Sequence, residues 1–333
     1  MGILESLKTF MNYEFEGKNP DATQKIVKRE LKEKIFGESE IFHRLKKLIL
    51  LRERDRSTRE NSIRILKKLV RFSKKTCKIL LEIKMEVFTS FILEREYKHS
   101  QVIKERQQCF KLLRAWLHKD PSSFPYMLAQ TVASIAKNPE DQQLRKEAIE
   151  FIVNDLFQVK PEMGAGVGGI KIMVDTILDV SLAQQGIIRQ DMIVHCLLIM
   201  INNPATRVYL RHFKDLNRIF SIFTLADGVE KDPRKDILDK LLLQLNFVSK
   251  AIVNMIRTQN GLIYIASSPL GLSSLIGALN QPIKLYKQIA ILNLFIEIFD
   301  VPLYVGGNIY LSSTSTGPGQ SQNLLNNYVA LLL

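Results

Sequence analysis

The sequence predicts an all-α chain of ARM/HEAT type, an α-solenoid built from stacked helical repeats. Three observations carry that expectation. Apolar residues recur at helical spacing through most of the 333 residues, and turn signals fall at short intervals between them. One local pattern also returns at the period of a helical repeat. Strands are not expected, because alternating β-branched runs bounded as hairpins are scarce.

Taken in order, residues 1–56 read as charged amino-terminal helices without an assigned role. Asp21 can cap a helix that runs to about Ile35, where Gly37 stops it. Ile41, Leu45, Leu48 and Leu51 then form an apolar stripe, and Ile63, Leu66, Leu69, Val70 and Phe72 form another. Residues 57–305 read as the repeat array. Five helices there carry a basic residue followed, three positions on, by a small or slim residue with an apolar one directly after it. They are Arg59 with Ser62-Ile63, Arg106 with Cys109-Phe110, Arg145 with Ala148-Ile149, Arg189 with Met192-Ile193, and Lys287 with Ala290-Ile291. Steps between the small positions are 47, 39, 44 and 98 residues, the last spanning two units. A small residue admits a neighbouring helix closely, while the apolar residues beside it bury against adjacent repeats. The basic residue near each helix start opposes the helix dipole, so it is expected to serve a neighbour contact or solvation.

Punctuation agrees with an array. Asp120-Pro121-Ser122-Ser123 can open a helix with proline in its first turn. Asn138-Pro139-Glu140-Asp141, Asn203-Pro204 and Gln281-Pro282 each end one helix and start the next. Ala226 to Lys235 reads as a charged loop. Residues 306–322, rich in Ser, Thr and Gly, read as a flexible loop, and residues 323–333 as the start of a further repeat helix. A terminal repeat needs a polar outer face, so the chain reads as part of a longer protein.

Composition narrows the chemistry. The net charge of +13 is concentrated early: residues 25–119 hold 27 Lys and Arg against 12 Asp and Glu. Within that third Lys67, Lys68, Arg71, Lys74 and Lys75 cluster around one helix end, a candidate basic binding surface for an acidic protein or an anionic membrane. Nucleic acid is not expected, since no aromatic platform or binding motif accompanies the charge. No run reaches the roughly 18 uncharged apolar residues of a membrane span, and no signal peptide is legible. Cys77, Cys109 and Cys196 form no CxxC pair and read as buried thiols of a reducing compartment. His43, His99, His118, His195 and His212 lack metal-ligand spacing, and His195 reads as a core histidine beside Cys196. The lone Trp116 is expected to pack with Phe110 and Leu113. Gly164-Ala165-Gly166-Val167-Gly168-Gly169 satisfies GxGxxG, but a turn after a helix precedes it where a dinucleotide site needs a strand. A flexible inter-repeat loop is the expected role, with a nucleotide-binding enzyme using Gly164 to Gly169 as the alternative. No catalytic residue, cofactor or metal is expected.

Several segments together resemble the Rictor/pianissimo family. They are Ser123-Phe124-Pro125 followed by Ala133-Ser134-Ile135-Ala136, then Leu197-Leu198-Ile199-Met200-Ile201-Asn202-Asn203-Pro204. Gly271-Leu272-Ser273-Ser274-Leu275-Ile276-Gly277-Ala278-Leu279 follows, with Ile298-Phe299-Asp300-Val301-Pro302-Leu303 after it. The resemblance runs from about Ser57 to Leu333. It implies the amino-terminal repeat region of a non-catalytic TOR complex 2 scaffold, which binds the TOR kinase and a Sin1-type partner and directs phosphorylation of AGC-family kinases. It also implies a cytoplasmic protein that works at the periphery of the plasma membrane, in actin organisation and growth signalling. Another ARM/HEAT adaptor, such as one of nuclear transport, is the rival. A single Trp disfavours it, because such arrays carry Trp ladders.

Overall fold

The computed structural model describes residues 40–50, 56–95, 100–138, 140–179, 190–211, 214–224, 235–266, 271–281, 283–300, 303–305 and 308–310. Most of the charged amino-terminal segment, the loop at 226–234 and the segment 323–333 lie outside them. The chain divides into two compact units, Met1–Phe151 and Ile152–Leu333.

In the first unit the helices are α1 (Glu40–Leu50), α2 (Arg56–Phe72), α3 (Lys74–Glu82), α4 (Met85–Glu94), α5 (Ser100–Lys119), α6 (Tyr126–Lys137) and α7 (Gln142–Phe151). The three pattern-bearing helices form one row, with α2 packed along α5 and α5 against α7. A second row places α3 on α4 and α4 on α6, while α1 lies on α2. Ser62, Cys109 and Ala148 are buried, as are Ile63, Phe110 and Ile149 directly after them. The basic residues resolve in favour of neighbour contact. Arg59 Nε donates to Glu105 Oε1 at 2.9 Å, from α2 to α5. Arg106 Nη1 donates to Asp141 Oδ2 at 2.8 Å, from α5 to the start of α7. Arg145 Nε donates to the Ala136 carbonyl at 3.3 Å, from α7 to the end of α6.

Asp141 also ends the α6–α7 turn as expected, its Oδ1 accepting from Leu144 N at 3.0 Å. Asp120-Pro121-Ser122-Ser123 does less than expected: Pro121–Ser123 is a 3-10 turn, and α6 starts only at Tyr126 after Pro125. The turn still matters, because Trp116 donates from Nε1 to Ser123 Oγ at 3.2 Å and meets Phe124 edge-on at 6.4 Å. Phe110 packs instead on Phe151 at 6.2 Å, with Phe124 on the same ring, so the ring partner of Trp116 is Phe124.

The second unit opens with a π turn, Ile152–Leu156, then α8 (Phe157–Val159), α9 (Pro161–Gly166) and α10 (Gly169–Leu178). There follow α11 (Gln190–Asn202), α12 (Pro204–Arg207), α13 (Asn217–Thr224), α14 (Lys235–Ile256), α15 (Gln259–Ala266), α16 (Leu272–Leu279) and α17 (Leu285–Phe299). Two rows again appear, α10–α13–α16 and α11–α14–α17. The long step between the fourth and fifth patterns is therefore filled by α14, which lies between α11 and α17. This pairing of helices into two packed rows is the ARM/HEAT-type α-solenoid arrangement. Asn203 caps α12 as its sequence position suggests, accepting from Ala205 N at 3.0 Å.

Two departures from expectation stand out. Leu303–Val305 and Asn308–Tyr310 form an antiparallel pair, β1 and β2, so a short hairpin enters where the flexible loop 306–322 was expected to begin. The glycine run, expected as a flexible loop, is instead a tight helical corner. Gly164 lies inside α9 and Gly169 opens α10, both buried, with Gly168 between at φ 85°. A Cβ on Gly169 would stand 2.6 Å from the Gly164 carbonyl and 2.7 Å from the Phe157 ring. The glycines therefore let two helices and an aromatic ring meet where side chains would collide.

Gly169→Ala is expected to lower stability by about 1–3 kcal/mol through overpacking. Gly277→Ala, within α16 where nothing lies near the added carbon, should raise it by about 0.4–1 kcal/mol. Urea denaturation of the two variants checks both signs. A neutral Gly169→Ala would mean that the corner is looser than these distances require.

Candidate functional site

The basic surface arises from the way α2 ends. Arg64, Lys67, Lys68 and Arg71 stand at i, i+3, i+4 and i+7 of α2, spacing that places them along one helical face. The helix stops at Ser73, whose N–H still reaches the Leu69 carbonyl at 3.1 Å. Ser73 then caps α3 by accepting from Lys75 N at 3.2 Å, and the Thr76 hydroxyl returns to the same Leu69 carbonyl at 2.9 Å. That corner carries Lys74, Lys75 and Lys78 past the end of the α2 row. Lys67 and Lys68 are half-buried, whereas Arg71, Lys74 and Lys75 are exposed.

Electrostatics show how close the charges are. Burial pushes the Lys67 ammonium below the usual lysine range, and Arg71, Lys111, Arg64 and Lys68 lower it further. Beyond α3, the Ser122 hydroxyl donates to Asp120 at 2.7 Å and holds its carboxyl below the usual range, with Lys74 and Lys78 adding to the effect. The arrangement is a cationic face beside which Asp120 is occupied by its own turn and Glu60 is met by Arg64 at 2.7 Å. It offers point charges suited to an anionic surface.

Other candidate residues fall elsewhere. Phe157 covers the glycine run, which offers no cradle following a strand. His195 is exposed, not a core residue, because it points away from the face that buries Cys196 and Leu197. His43 and His118 are exposed as well, and His99 and His212 lie outside the described residues. All three thiols are buried, and burial pushes Cys77 up to about 11 and Cys196 up to about 12. Cys196 Sγ donates to the Val153 carbonyl at 3.3 Å, within the π turn. Among the described residues no cluster of three His, Cys, Asp or Glu could hold a metal ion, and no helix is long and apolar enough to cross a membrane.

A family model described as "Rapamycin-insensitive companion of mTOR, N-term" matches residues 24–333. The chain belongs to this family. "Protein pianissimo A" of Dictyostelium discoideum is 28% identical over 283 residues, covering 77% of this chain and 24% of the relative. "Rapamycin-insensitive companion of mTOR" of Mus musculus is 25% identical over 233 residues, covering 66% of this chain and 13% of the relative. The chain thus spans about a quarter of the first relative's length and less of the second. Among solved structures, an engineered protein aligns over 76% of this chain and 96% of its own, at 14% identity and a TM-score of 0.37, too weak a likeness to bear on the fold.

In this Rictor-family chain the basic face is larger than the five residues of one helix end. Lys111 stands two residues after Cys109, as Arg64 stands two residues after Ser62, so equivalent repeat positions extend the face from α2 to α5. The repeat register already contained that signal. The next equivalent position is Glu150, and Arg114 already faces Glu147 at 3.8 Å, so the cationic character ends with the second repeat.

The depressed Asp120 carboxyl has a pH consequence. Its contribution to stability is present above the ordinary aspartate range and is lost as pH falls through its lower folded value. Asp120→Asn should therefore lower the melting temperature at pH 7, and the gap to the parent should close below about pH 4. A gap of equal size at pH 7 and pH 3 would show that the carboxylate charge contributes nothing.

Proposed function

We propose that this chain is the amino-terminal repeat region of a non-catalytic TOR complex 2 scaffold, whose cationic face docks an acidic surface of a partner protein. The scaffold binds the TOR kinase and a Sin1-type subunit and directs phosphorylation of AGC-family kinases, in the cytoplasm and at the plasma-membrane periphery. Support comes first from the family match over residues 24–333. The observation that carries the docking surface is the run of like charge across α2, α3 and α5, where Lys67 is held half-buried against four other cations. Like charges so placed repel one another, and an acidic partner relieves that repulsion. A protein is favoured over a membrane because Lys67 and Lys68 sit partly sunk between helices, where a shaped partner reaches them better than a flat bilayer. A non-catalytic role accords with the way Phe157 and the helical corner fill the glycine run.

The test is affinity purification of the full-length native protein, as parent and with Lys67, Lys68, Arg71, Lys74 and Lys75 each changed to Glu. The parent should recover TOR kinase and a Sin1-type subunit in near-stoichiometric yield. The variant should lose at least one partner by about tenfold at low salt, with an unchanged melting temperature. Failure of the parent to recover either protein removes the complex assignment. Full recovery by the variant removes the docking surface, and loss of binding to anionic liposomes alone transfers it to a membrane.

A further inference from the structure

A groove of about 300 Å³ lies between α11, α14 and α17 of the second unit. Its floor is apolar: Val194 of α11 with Phe247 and Ala251 of α14, each at most 5% exposed. Its polar lining is one-sided. Lys250, Asn254 and Arg257 stand at i, i+4 and i+7 on one face of α14. Arg257 directly follows the last residue of α14, and its N–H still donates to the Val253 carbonyl at 3.1 Å, so helical spacing holds to that point. Asn254 Oδ1 accepts from Arg257 Nη1 at 3.0 Å, which leaves the Asn254 amide nitrogen as a donor. The α14 wall thus offers side-chain donors, and Glu297 of α17 supplies the carboxylate of the lining. Lys250 and Glu297 are exposed and, among the described residues, ion-pair neither with each other nor elsewhere. Seven residues at about 1.5 Å rise separate Lys250 from Arg257 by about 10 Å along the helix.

We propose that this groove binds an extended acidic segment of a partner protein, with one carboxylate on Lys250 and a second on Arg257. In polyproline II backbone, residues i and i+3 lie on one side about 9 Å apart, which matches the separation of the two cations. The segment therefore has the form acidic-x-x-acidic, with an apolar residue between the acids that covers Phe247 and Ala251. Such backbone makes no internal hydrogen bonds. Asn254 donates to one of its carbonyls, and Glu297 accepts from one of its N–H groups. Glu297 also selects between anions. It repels a continuous polyanion such as polyphosphate or nucleic acid, whereas a peptide brings spaced charges and its own donors. A flat bilayer does not enter a groove between helices. The site shares no residue with the cationic face of α2, α3 and α5, and it stands or falls apart from it.

Fluorescence anisotropy of the labelled peptide Gly-Glu-Leu-Pro-Glu-Gly tests the site on the complete chain. The salt is about 0.15 M, where exposed charges more than about 8 Å away are screened. The parent should bind this peptide at least about tenfold more tightly than the same peptide with Gln for both Glu. Lys250→Glu combined with Arg257→Glu should weaken binding by at least about tenfold. The melting temperature should hold, because both positions are exposed. Changing Lys67, Lys68, Arg71, Lys74 and Lys75 to Glu should leave binding within about twofold of the parent. No saturable binding, equal binding of the Glu and Gln peptides, or full binding by the Lys250 and Arg257 variant overturns the proposal. Loss of binding in the five-residue variant alone also overturns it, by moving the peptide to the first unit. Competition by tripolyphosphate as strong as by unlabelled peptide overturns it in favour of a polyanion site.

Discussion

Stacking in the first unit depends on buried guanidinium groups that reach from one helix to its neighbour. Arg59 is 4% exposed and its partner Glu105 5%, so both charges have left water and each needs the other. The contact can form only when α2 and α5 lie close, and Ser62 with Cys109 permits that approach. Arg106 continues the chain of contacts to Asp141, which also holds the first turn of α7. Charge pairing thus fixes which helix turns face each other, while the apolar residues around them supply most of the stabilisation. Aliphatic packing alone would tolerate a slip of one turn; a buried ion pair does not.

The second unit solves the same problem differently. At its start the helix widens into a π turn, which frees the Val153 carbonyl to accept from Cys196 and Gln158. A glycine corner follows, closed by Phe157. These devices hold α8 to α11 together with few charges, in keeping with the even charge balance of this part of the chain. The basic face is a by-product of the first unit's register, because repeat-equivalent positions on α2 and α5 carry cations that stacking brings side by side.

Much of this was legible in the sequence. Helical period, small residues and a shared basic position gave the fold class, and the buried Ser62, Cys109 and Ala148 sit where the pattern put them. The fourth and fifth patterns were weaker: Met192 and Ala290 are only half-buried. The glycine run misled because glycine serves both loops and close helix contacts, and only tertiary neighbours separate the two. His195 misled because an apolar helix still turns one side to solvent. The hairpin at Leu303–Val305 and Asn308–Tyr310 was missed although Gly306 and Gly307 between its strands are a favoured hairpin pair. Its three-residue strands are too short to show alternation. Lys111 was missed because distance along the chain hid a neighbour one repeat away.

In the first unit the basic residue of the repeated pattern ties neighbouring helices together. A double-mutant cycle on Arg59→Met and Glu105→Gln, read by urea denaturation, tests it most directly, with the exposed pair Arg64 and Glu60 as reference. The expected coupling energy is about 2 kcal/mol for the buried pair and about 0.5 kcal/mol or less for the exposed one. Equal, small couplings would contradict it. The stacking would then rest on apolar packing alone, and the shared arginine would be a surface habit of these helices.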